Sequence, residues 1–164
     1  SGPTGGGWVQ ADDYPMMKAL IDDVTVHYNI DRSRIHGWGF SAGGHVMHDL
    51  ALRQRSTAPD IRTFAAYGIS AGALSALTCS HGSGTPTCAG FLPQVSRLIP
   101  VSLRVGANDS LLPHVQADRA AFLAAGWSSG NTLDYATFPG GHVISPAQFP
   151  ATWQFLCPFQ RLPE

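Results

Sequence analysis

The chain has 164 residues, which is enough for one domain with a substantial hydrophobic core. It is 44% hydrophobic and only 13% charged, a balance that excludes an intrinsically disordered chain. The net charge of −1 gives no basic surplus for binding nucleic-acid phosphates. No apolar run reaches about 18 residues, the length that a membrane-spanning helix needs. We therefore expect one globular domain without a nucleic-acid partner and without a membrane span.

Short strand-like runs alternate along the chain with apolar residues at helical spacing. The pattern predicts helices at 15–28, 41–53, 112–125 and 146–155, and strands at 34–40, 62–69, 100–105 and 132–138. The segment 70–97 is rich in small residues and is predicted to be irregular. Strands that alternate with helices favour an α/β fold with a mainly parallel sheet, in a single domain over residues 1–164.

Ser41 is the centre of a G-x-S-x-G motif between a predicted strand and a predicted helix. At such a turn, called a nucleophile elbow, the serine has a strained backbone and the flanking chain segments approach closely, so Gly39 and Gly43 would leave room. The N-terminus of the following helix favours a developing negative charge, and the Ala42 N–H would be one donor of an oxyanion hole. A glycine-rich turn without chemistry is the alternative interpretation.

Two further residues complete a possible Ser–Asp–His set in chain order. Asp109 follows the predicted strand 100–105, and His142 follows the strand 132–138 in a glycine-rich loop. Ligand-facing residues lie at these carboxyl ends in open parallel sheets. The prediction is that Ser41 is the nucleophile, that His142 is its base and later the acid, and that Asp109 orients the histidine. The alternatives are a turn-capping role for Asp109 and an ordinary loop position for His142.

The other histidines are predicted to be structural. His45 and His48 lie three residues apart beside Asp49, but no third ligand stands at a recognisable spacing, so no metal site is expected there. Packing or hydrogen bonding across the layer of helices is the favoured interpretation of both residues. His114 is predicted to lie on the surface of a helix. The sequence shows no cofactor motif, and we expect no cofactor.

The segments 19–35 and 39–44 resemble the extracellular polyhydroxybutyrate depolymerase and feruloyl or acetylxylan esterase group of α/β-hydrolases. In that group a helix leads through an Asp-x-x-Arg turn, here Asp31 to Arg34, into the strand before the elbow, and a double glycine, here Gly43 and Gly44, follows the serine. The resemblance weakens through 70–97 and returns at 106–109 and 140–142. It implies an α/β-hydrolase fold with Ser41, Asp109 and His142 as the triad and Ala42 as an oxyanion donor.

The resemblance implies a serine hydrolase that cleaves carboxylic esters through an acyl-enzyme. Its substrates would be polyesters or the acyl esters of plant polysaccharides. A peptidase of the same fold remains an alternative, because the triad does not exclude it. A non-catalytic binding domain of the same fold is a further alternative, and the intact Ser–Asp–His set counts against it.

The chain departs from this group at its start. The group has several strands before the first helix of this chain, and a loop there that completes the oxyanion hole. This sequence opens instead with 1–8, Ser-Gly-Pro-Thr-Gly-Gly-Gly-Trp, without an initiator Met or signal peptide. We expect either a processed product or a C-terminal fragment with about four strands. We also expect activity in the full-length parent rather than in this chain, and an edge position for the strand 34–40.

Cys79 and Cys88 bracket a short loop rich in Ser, Gly, Thr and Pro. A disulfide there would close a loop of about 10 residues and stabilise the fold by about 2.7 kcal/mol on the chain-entropy model. Two unpaired thiols are the alternative, and a zinc site is disfavoured because only His81 lies nearby. Cys157 has no evident partner. Together with the resemblance, the cysteines favour a secreted or periplasmic protein.

Overall fold

The structure is a computed structural model that describes residues 7–81 and 86–161. These residues form a parallel sheet of four strands in the order β1-β2-β3-β4, so each strand pairs with its neighbour in the chain. The strands are β1 (His36–Phe40), β2 (Ala66–Ser70), β3 (Val101–Gly106) and β4 (Leu133–Phe138). The helices are α1 (Gln10–His27), α2 (Ala42–Leu52), α3 (Cys88–Phe91), α4 (Leu112–Ala124) and α5 (Phe149–Leu156). The predicted α/β architecture with parallel strands is confirmed.

The helices cover both faces of the sheet. On one face, α2 packs closely enough that a Cβ on Gly44 would lie 3.2 Å from the side chain of Ile69 in β2. The ring of His48 in α2 stacks on Phe122 of α4, which places α4 on the same face. On the opposite face, α5 lies against Gly68, where a Cβ would meet Thr152 and Leu156. The buried core includes Leu50, Tyr67, Ile69, Leu74, Leu92, Val101, Leu103, Val105, Val115, Phe122 and Leu133.

The second strand begins later than the sequence predicts. The prediction started at Arg62, but residues 61–63 form a turn and β2 begins at Ala66. The turn is held by the carboxylate of Asp60, which accepts hydrogen bonds from the backbone N–H and the guanidinium of Arg62. The Thr63 hydroxyl in turn accepts the N–H of Asp60. These local side-chain bonds keep Arg62 to Phe64 out of the sheet, although their composition is compatible with a strand.

The first helix begins earlier than the sequence predicts. It starts at Gln10 rather than Pro15, because the carboxylate of Asp13 accepts the N–H of Val9 at 2.7 Å and satisfies a donor at the helix start. Pro15 consequently lies inside the helix rather than in its first turn. The carboxylate that caps the helix start therefore comes from Asp13, a residue within the helix itself.

The segment 70–97 contains short helical turns rather than regular long elements. Three-residue 3₁₀ turns lie at Leu74–Ala76 and Leu92–Gln94, and α3 has Thr87 as its cap, with the Thr87 hydroxyl accepting the N–H of Gly90 at 3.1 Å. Cys79 and Cys88 form the predicted disulfide, with their Cα atoms 5.0 Å apart. The bridge closes the chain around residues 82–85, which lie outside the described part.

The first strand lies at an edge of the sheet, as the sequence predicts, although it begins at His36 rather than Arg34. The side chain of Trp38 is 40% exposed on this edge. None of the helices within residues 7–81 and 86–161 combines the length and apolar character that a bilayer crossing requires.

Candidate active site

Ser41 lies at a sharp turn between β1 and α2. Its backbone has φ 53° and ψ −122°, an unfavourable conformation for a residue with a Cβ. The turn is held because the Ser41 N–H donates to the Ser70 carbonyl of the neighbouring strand at 2.9 Å. The Ser41 side chain makes no capping hydrogen bond to the helix that follows. The strained backbone therefore presents the hydroxyl away from the helix, at the carboxyl end of the sheet.

The two glycines of the motif have different roles in this turn. A Cβ on Gly39 would collide with the backbone carbonyl of Gly43, so only glycine fits there without a shift of the backbone. A Cβ on Gly43 would meet nothing within 4 Å among the described residues. The close approach in this turn therefore joins position 39 to the backbone of residue 43 and does not involve the side-chain position of residue 43.

His142 contacts both of the residues that the sequence grouped with it. Its Nε2 lies 2.8 Å from the Ser41 Oγ, and its Nδ1 lies 2.9 Å from an oxygen of Asp109. Because an ionised carboxylate only accepts hydrogen bonds, Nδ1 carries the proton in the neutral ring, and Nε2 is left to accept from the serine hydroxyl. The structure thus brings the three side chains into one chain of hydrogen bonds, although they come from loops after three different strands.

Asp109 is fixed by its surroundings. Its side chain is completely buried, whereas that of His142 is 41% exposed. One carboxylate oxygen accepts the N–H of Leu111 at 2.9 Å, and the other faces His142. A buried carboxylate with both oxygens engaged holds the imidazole in one orientation and one tautomer. Among the described residues, the solvent-exposed member of this pair is therefore the histidine.

The loops that carry Asp109 and His142 are joined through their backbones. The Ala107 N–H donates to the Phe138 carbonyl, and the Asn108 N–H donates to the Gly140 carbonyl, both at 2.8 Å. A Cβ on Gly106, the last residue of β3, would collide with the carbonyl oxygens of residues 140 and 141. The absence of a side chain on Gly106 therefore lets the two loops lie close enough for the carboxylate to reach the imidazole.

Phe40 supports His142 from the sheet. The two rings lie with their centroids 5.0 Å apart and their planes tilted by 34°. Val143 and Ile144, which follow His142, are 50% and 46% exposed. Two exposed apolar side chains therefore follow the histidine directly in the chain.

The amide of Ala42 opens α2 directly after the serine. The first N–H groups of a helix have no partner within the helix, and the helix dipole adds a partial positive charge at this end. The position is suited to stabilising negative charge beside the Ser41 Oγ.

His45 and His48 have structural partners on the inner side of α2. The Ala73 N–H donates to the His45 Nδ1 at 2.9 Å, and burial lowers the pKa of His45 below its usual value. His48 is fully buried with its Nδ1 3.2 Å from the Tyr67 hydroxyl, and burial lowers its pKa to about 3. Both residues pack within the layer of helices as the sequence predicts.

A second aspartate–histidine pair lies beside the disulfide, and the sequence does not predict it. The His81 Nε2 is 2.7 Å from one oxygen of Asp118, whose other oxygen accepts the Leu74 N–H at 2.8 Å. The Cys88 sulfur lies near both side chains, within the 4.8 Å that a shared metal ion would require. This sulfur is already bonded to Cys79, which removes it as a thiolate ligand.

Three tryptophans outside the Ser41–His142–Asp109 set have different surroundings. Trp127 is buried with its indole N–H bonded to the Ile99 carbonyl, so it belongs to the core. Trp8 and Trp153 are exposed by 40% and 57%, and Trp153 packs edge-on against His36 of the edge strand. Cys157 is a free cysteine.

The fold is the α/β-hydrolase fold. SOBER1 from Arabidopsis thaliana superposes with a TM-score of 0.56 at 20% identity, over 84% of this chain and 58% of SOBER1. A ferulic acid esterase gives a TM-score of 0.59 at 15% identity, over 86% of this chain and 58% of the esterase. The Bacillus cereus carboxylesterase gives 0.55 at 13% identity, over 84% and 56%.

At these identities the likeness establishes the fold. The chain spans less than three-fifths of the length of each of these three structures. No protein-family model matches the sequence, and no curated protein matches it either.

Proposed function

We propose that this protein is a serine hydrolase that cleaves carboxylic esters through an acyl-enzyme on Ser41. The observation that carries the proposal is the continuous contact from the Ser41 Oγ to His142 and from His142 to the buried Asp109, at 2.8 and 2.9 Å. Such contacts activate a hydroxyl that is otherwise a weak nucleophile. Three solved structures with this fold carry esterase names, which supports esters as the substrate class.

In the proposed reaction the Ser41 Oγ attacks the ester carbonyl while His142 Nε2 takes the hydroxyl proton. The Ala42 N–H at the start of α2 stabilises the resulting oxyanion. His142 then gives its proton to the leaving alcohol, and the carbonyl reforms as an acyl-serine. A water molecule, deprotonated by His142, hydrolyses the acyl-serine and releases the acid. Asp109 keeps the Nδ1 proton in place and stabilises the imidazolium in both steps.

We propose esters with apolar or aromatic acyl groups, including the acyl esters of plant polysaccharides and polyesters, as substrates. The exposed Val143 and Ile144 support this class, since they are apolar and follow His142 directly in the chain. The disulfide between Cys79 and Cys88 supports an oxidising compartment, outside the cytoplasm.

We propose that the full turnover rate requires a protein as long as the solved structures with this fold. The resemblance to esterases implies a second oxyanion donor from a loop before α1, beside the Ala42 N–H. One missing donor lowers turnover by about 10²–10³. We therefore expect the 164-residue chain to react with a serine-directed probe, and to hydrolyse esters, slowly.

A fluorophosphonate probe tests the proposal directly, because it forms a covalent bond only with an activated serine. We expect one label per chain, on Ser41, and hydrolysis of p-nitrophenyl butyrate and methyl ferulate. The Ser41→Ala variant should lose both. Ser145→Ala is the matched control, since this serine lies three residues after His142 and should keep both. Labelling that survives Ser41→Ala, or no labelling in folded protein, would contradict the proposal and favour a binding domain.

A further inference from the structure

Half of the positively charged side chains of this chain surround one pocket. The pocket has a volume of about 220 Å³. The chain has ten Lys and Arg residues, and five of them line the pocket: Lys18, Arg32, Arg55, Arg62 and Arg161. They come from α1, from the turn before β1, from the segment between α2 and β2, and from the residues after α5. A chain with a net charge of −1 therefore concentrates positive charge in one place.

This basic pocket lies at the opposite end of the sheet from Ser41. Ile35, the residue before β1, belongs to its lining, whereas Ser41 follows the last residue of β1. A strand of five residues spans roughly 16 Å at about 3.3 Å per residue. A small ligand in the basic pocket would therefore not contact the candidate active site, and any role of the pocket is separate from ester hydrolysis.

The carboxylates of the basic pocket do not neutralise its positive charge. Two aspartates, Asp22 and Asp60, belong to the described lining. Asp22 pairs with Lys18, and Asp60 is engaged by the guanidinium of Arg62 and by the backbone N–H of Arg55. The described lining thus keeps three more positive than negative side chains. Repulsion among cations around a partly enclosed pocket is unfavourable unless a counter-ion is bound.

Two of the arginines are held in position by bonds to the rest of the fold. The side chain of Arg55 is only 20% exposed, and its guanidinium donates to the backbone carbonyl of Asp49 at 2.8 Å. The backbone N–H of Arg161 donates to the Ser33 carbonyl at 2.8 Å. The Arg161 Nε is buried and has no hydrogen-bond partner among the described residues. A buried N–H without an acceptor is unfavourable, and a bound anion would supply the missing acceptor.

We propose that the basic pocket binds a dianionic oxyanion group, such as phosphate or sulfate. Four of its five cations are arginines, whose planar guanidinium groups present paired N–H donors that match the oxygens of such anions. The excess of three positive charges favours a dianion over a single carboxylate or a chloride ion. The volume is below the range of about 300–1,000 Å³ that is typical of drug-sized ligands, which suits a small ion or the charged end of a larger molecule. The proposal does not depend on ester hydrolysis.

Titration of the protein with potassium phosphate at about pH 8, where phosphate is mainly dianionic, tests the proposal by calorimetry and by backbone NMR shifts. The turn at Arg32–Arg34 offers a matched pair of variants. Both arginines are exposed and pair with an aspartate, at 3.8 and 3.4 Å, but Arg34 is not among the lining residues. We expect Arg32→Gln to weaken phosphate binding at least about tenfold, and Arg34→Gln to change it less than about twofold. Equal losses in the two variants, or no binding to the unaltered protein, would overturn the proposal.

Potassium chloride at equal ionic strength separates binding from general screening, because screening depends on ionic strength alone. We expect phosphate, and not chloride, to shift the amides of the residues that line the basic pocket. If chloride shifts the same amides to the same extent, the pocket does not select a dianion and the proposal is overturned.

Glucose 6-phosphate carries the same dianionic group on a larger molecule and distinguishes two sources of the ligand. Tighter binding than that of inorganic phosphate would support the proposal with a phosphorylated organic molecule as the ligand. Weaker binding than that of inorganic phosphate would support it with the free ion as the ligand. If neither compound protects the protein from urea more than it protects Arg32→Gln, the basic pocket does not bind the dianion and the proposal fails.

Discussion

Two aspartate–histidine pairs in this protein are built almost alike. Asp109 meets His142 at 2.9 Å, and Asp118 meets His81 at 2.7 Å. Both carboxylates are completely buried, both accept a backbone N–H with their second oxygen, and both histidines are partly exposed, by 41% and 30%. Burial, distance and charge pairing therefore do not distinguish a candidate active site from a structural contact.

The difference lies in what the pair faces. In the first pair Nδ1 bonds to the carboxylate, and Nε2 reaches the Ser41 Oγ at the start of an 11-residue helix. In the second pair Nε2 bonds to Asp118, and the contact ties the disulfide segment to α4. The first pair is suited to chemistry because a third group, the Ser41 hydroxyl at a helix N-terminus, lies beside it. The second pair instead attaches an irregular segment to the core.

The largest expected difference between the pairs is in turnover. Asp109→Asn should lower kcat for p-nitrophenyl butyrate by about 10⁴, because the amide allows the wrong tautomer of His142. Asp118→Asn is the matched control and should leave kcat at the level of the unaltered protein. Steady-state kinetics on both variants measures the effect. Equal losses in the two variants would show that the pairs do not differ in the proposed way.

The disulfide beside the second pair should contribute to stability and not to turnover. Replacing Cys79 and Cys88 together by Ala should lower the free energy of unfolding by about 2.7 kcal/mol, from the entropy of a loop of about 10 residues. Labelling of Ser41 should persist in the folded variant. Urea unfolding followed by tryptophan fluorescence measures the loss, with Cys157→Ala as the control for a cysteine outside the bridge. The idea fails if the double variant and the control unfold at the same urea concentration.

Removing one member of each pair should cost stability in both cases but should abolish activity only in the first pair. Asp118→Ala leaves the Leu74 N–H buried without its acceptor and should cost about 1–3 kcal/mol of stability while turnover persists. His142→Ala should abolish turnover, and because it leaves one oxygen of the buried Asp109 without its partner it should cost stability by a similar amount. Parallel urea titrations and ester assays on the two variants provide the comparison. If Asp118→Ala is as stable as the unaltered protein, the second pair does not have the structural role assigned to it.

The smallest expected effect concerns the pH dependence of stability. Burial raises the pKa of Asp118 above its ordinary value of 3.8. Between 3.8 and this raised pKa the folded state holds a proton that the unfolded chain releases, so this group makes stability fall as the pH rises. His48 contributes with the opposite sign, since burial lowers its pKa to about 3 and its stabilising effect is lost as the pH falls below 6.5.

The difference between the unaltered protein and Asp118→Asn isolates the contribution of Asp118. The difference in the free energy of unfolding between these two proteins should change with pH from 3.8 upward. It should become constant above the raised pKa of Asp118. Urea midpoints measured at intervals of pH show this directly. A difference that does not vary with pH would mean that Asp118 titrates normally in the folded protein.

The sequence predicts the first pair and not the second for a physical reason. Ser41, Asp109 and His142 each follow a strand of one parallel sheet, and the carboxyl ends of parallel strands meet at one edge, so local patterns imply the contact. His81 and Asp118 lie in an irregular segment and in the middle of a helix, where no periodic pattern relates their positions. The predicted starts of two elements are wrong because local side-chain hydrogen bonds set them. These are the Asp60 turn before β2 and the Asp13 cap of α1.

The shared backbone hydrogen bonds of the loops around residues 107 and 140 have a consequence for motion. Because these loops are bonded to each other, thermal displacements of Asp109 and His142 should be strongly correlated, and their separation should fluctuate little. Ser41 belongs to a different strand end, and among the described residues its hydroxyl contacts this unit through the bond to Nε2. The serine–histidine distance is therefore the variable coordinate of the site, and in the proposed reaction its fluctuations determine how often the hydroxyl proton can be transferred.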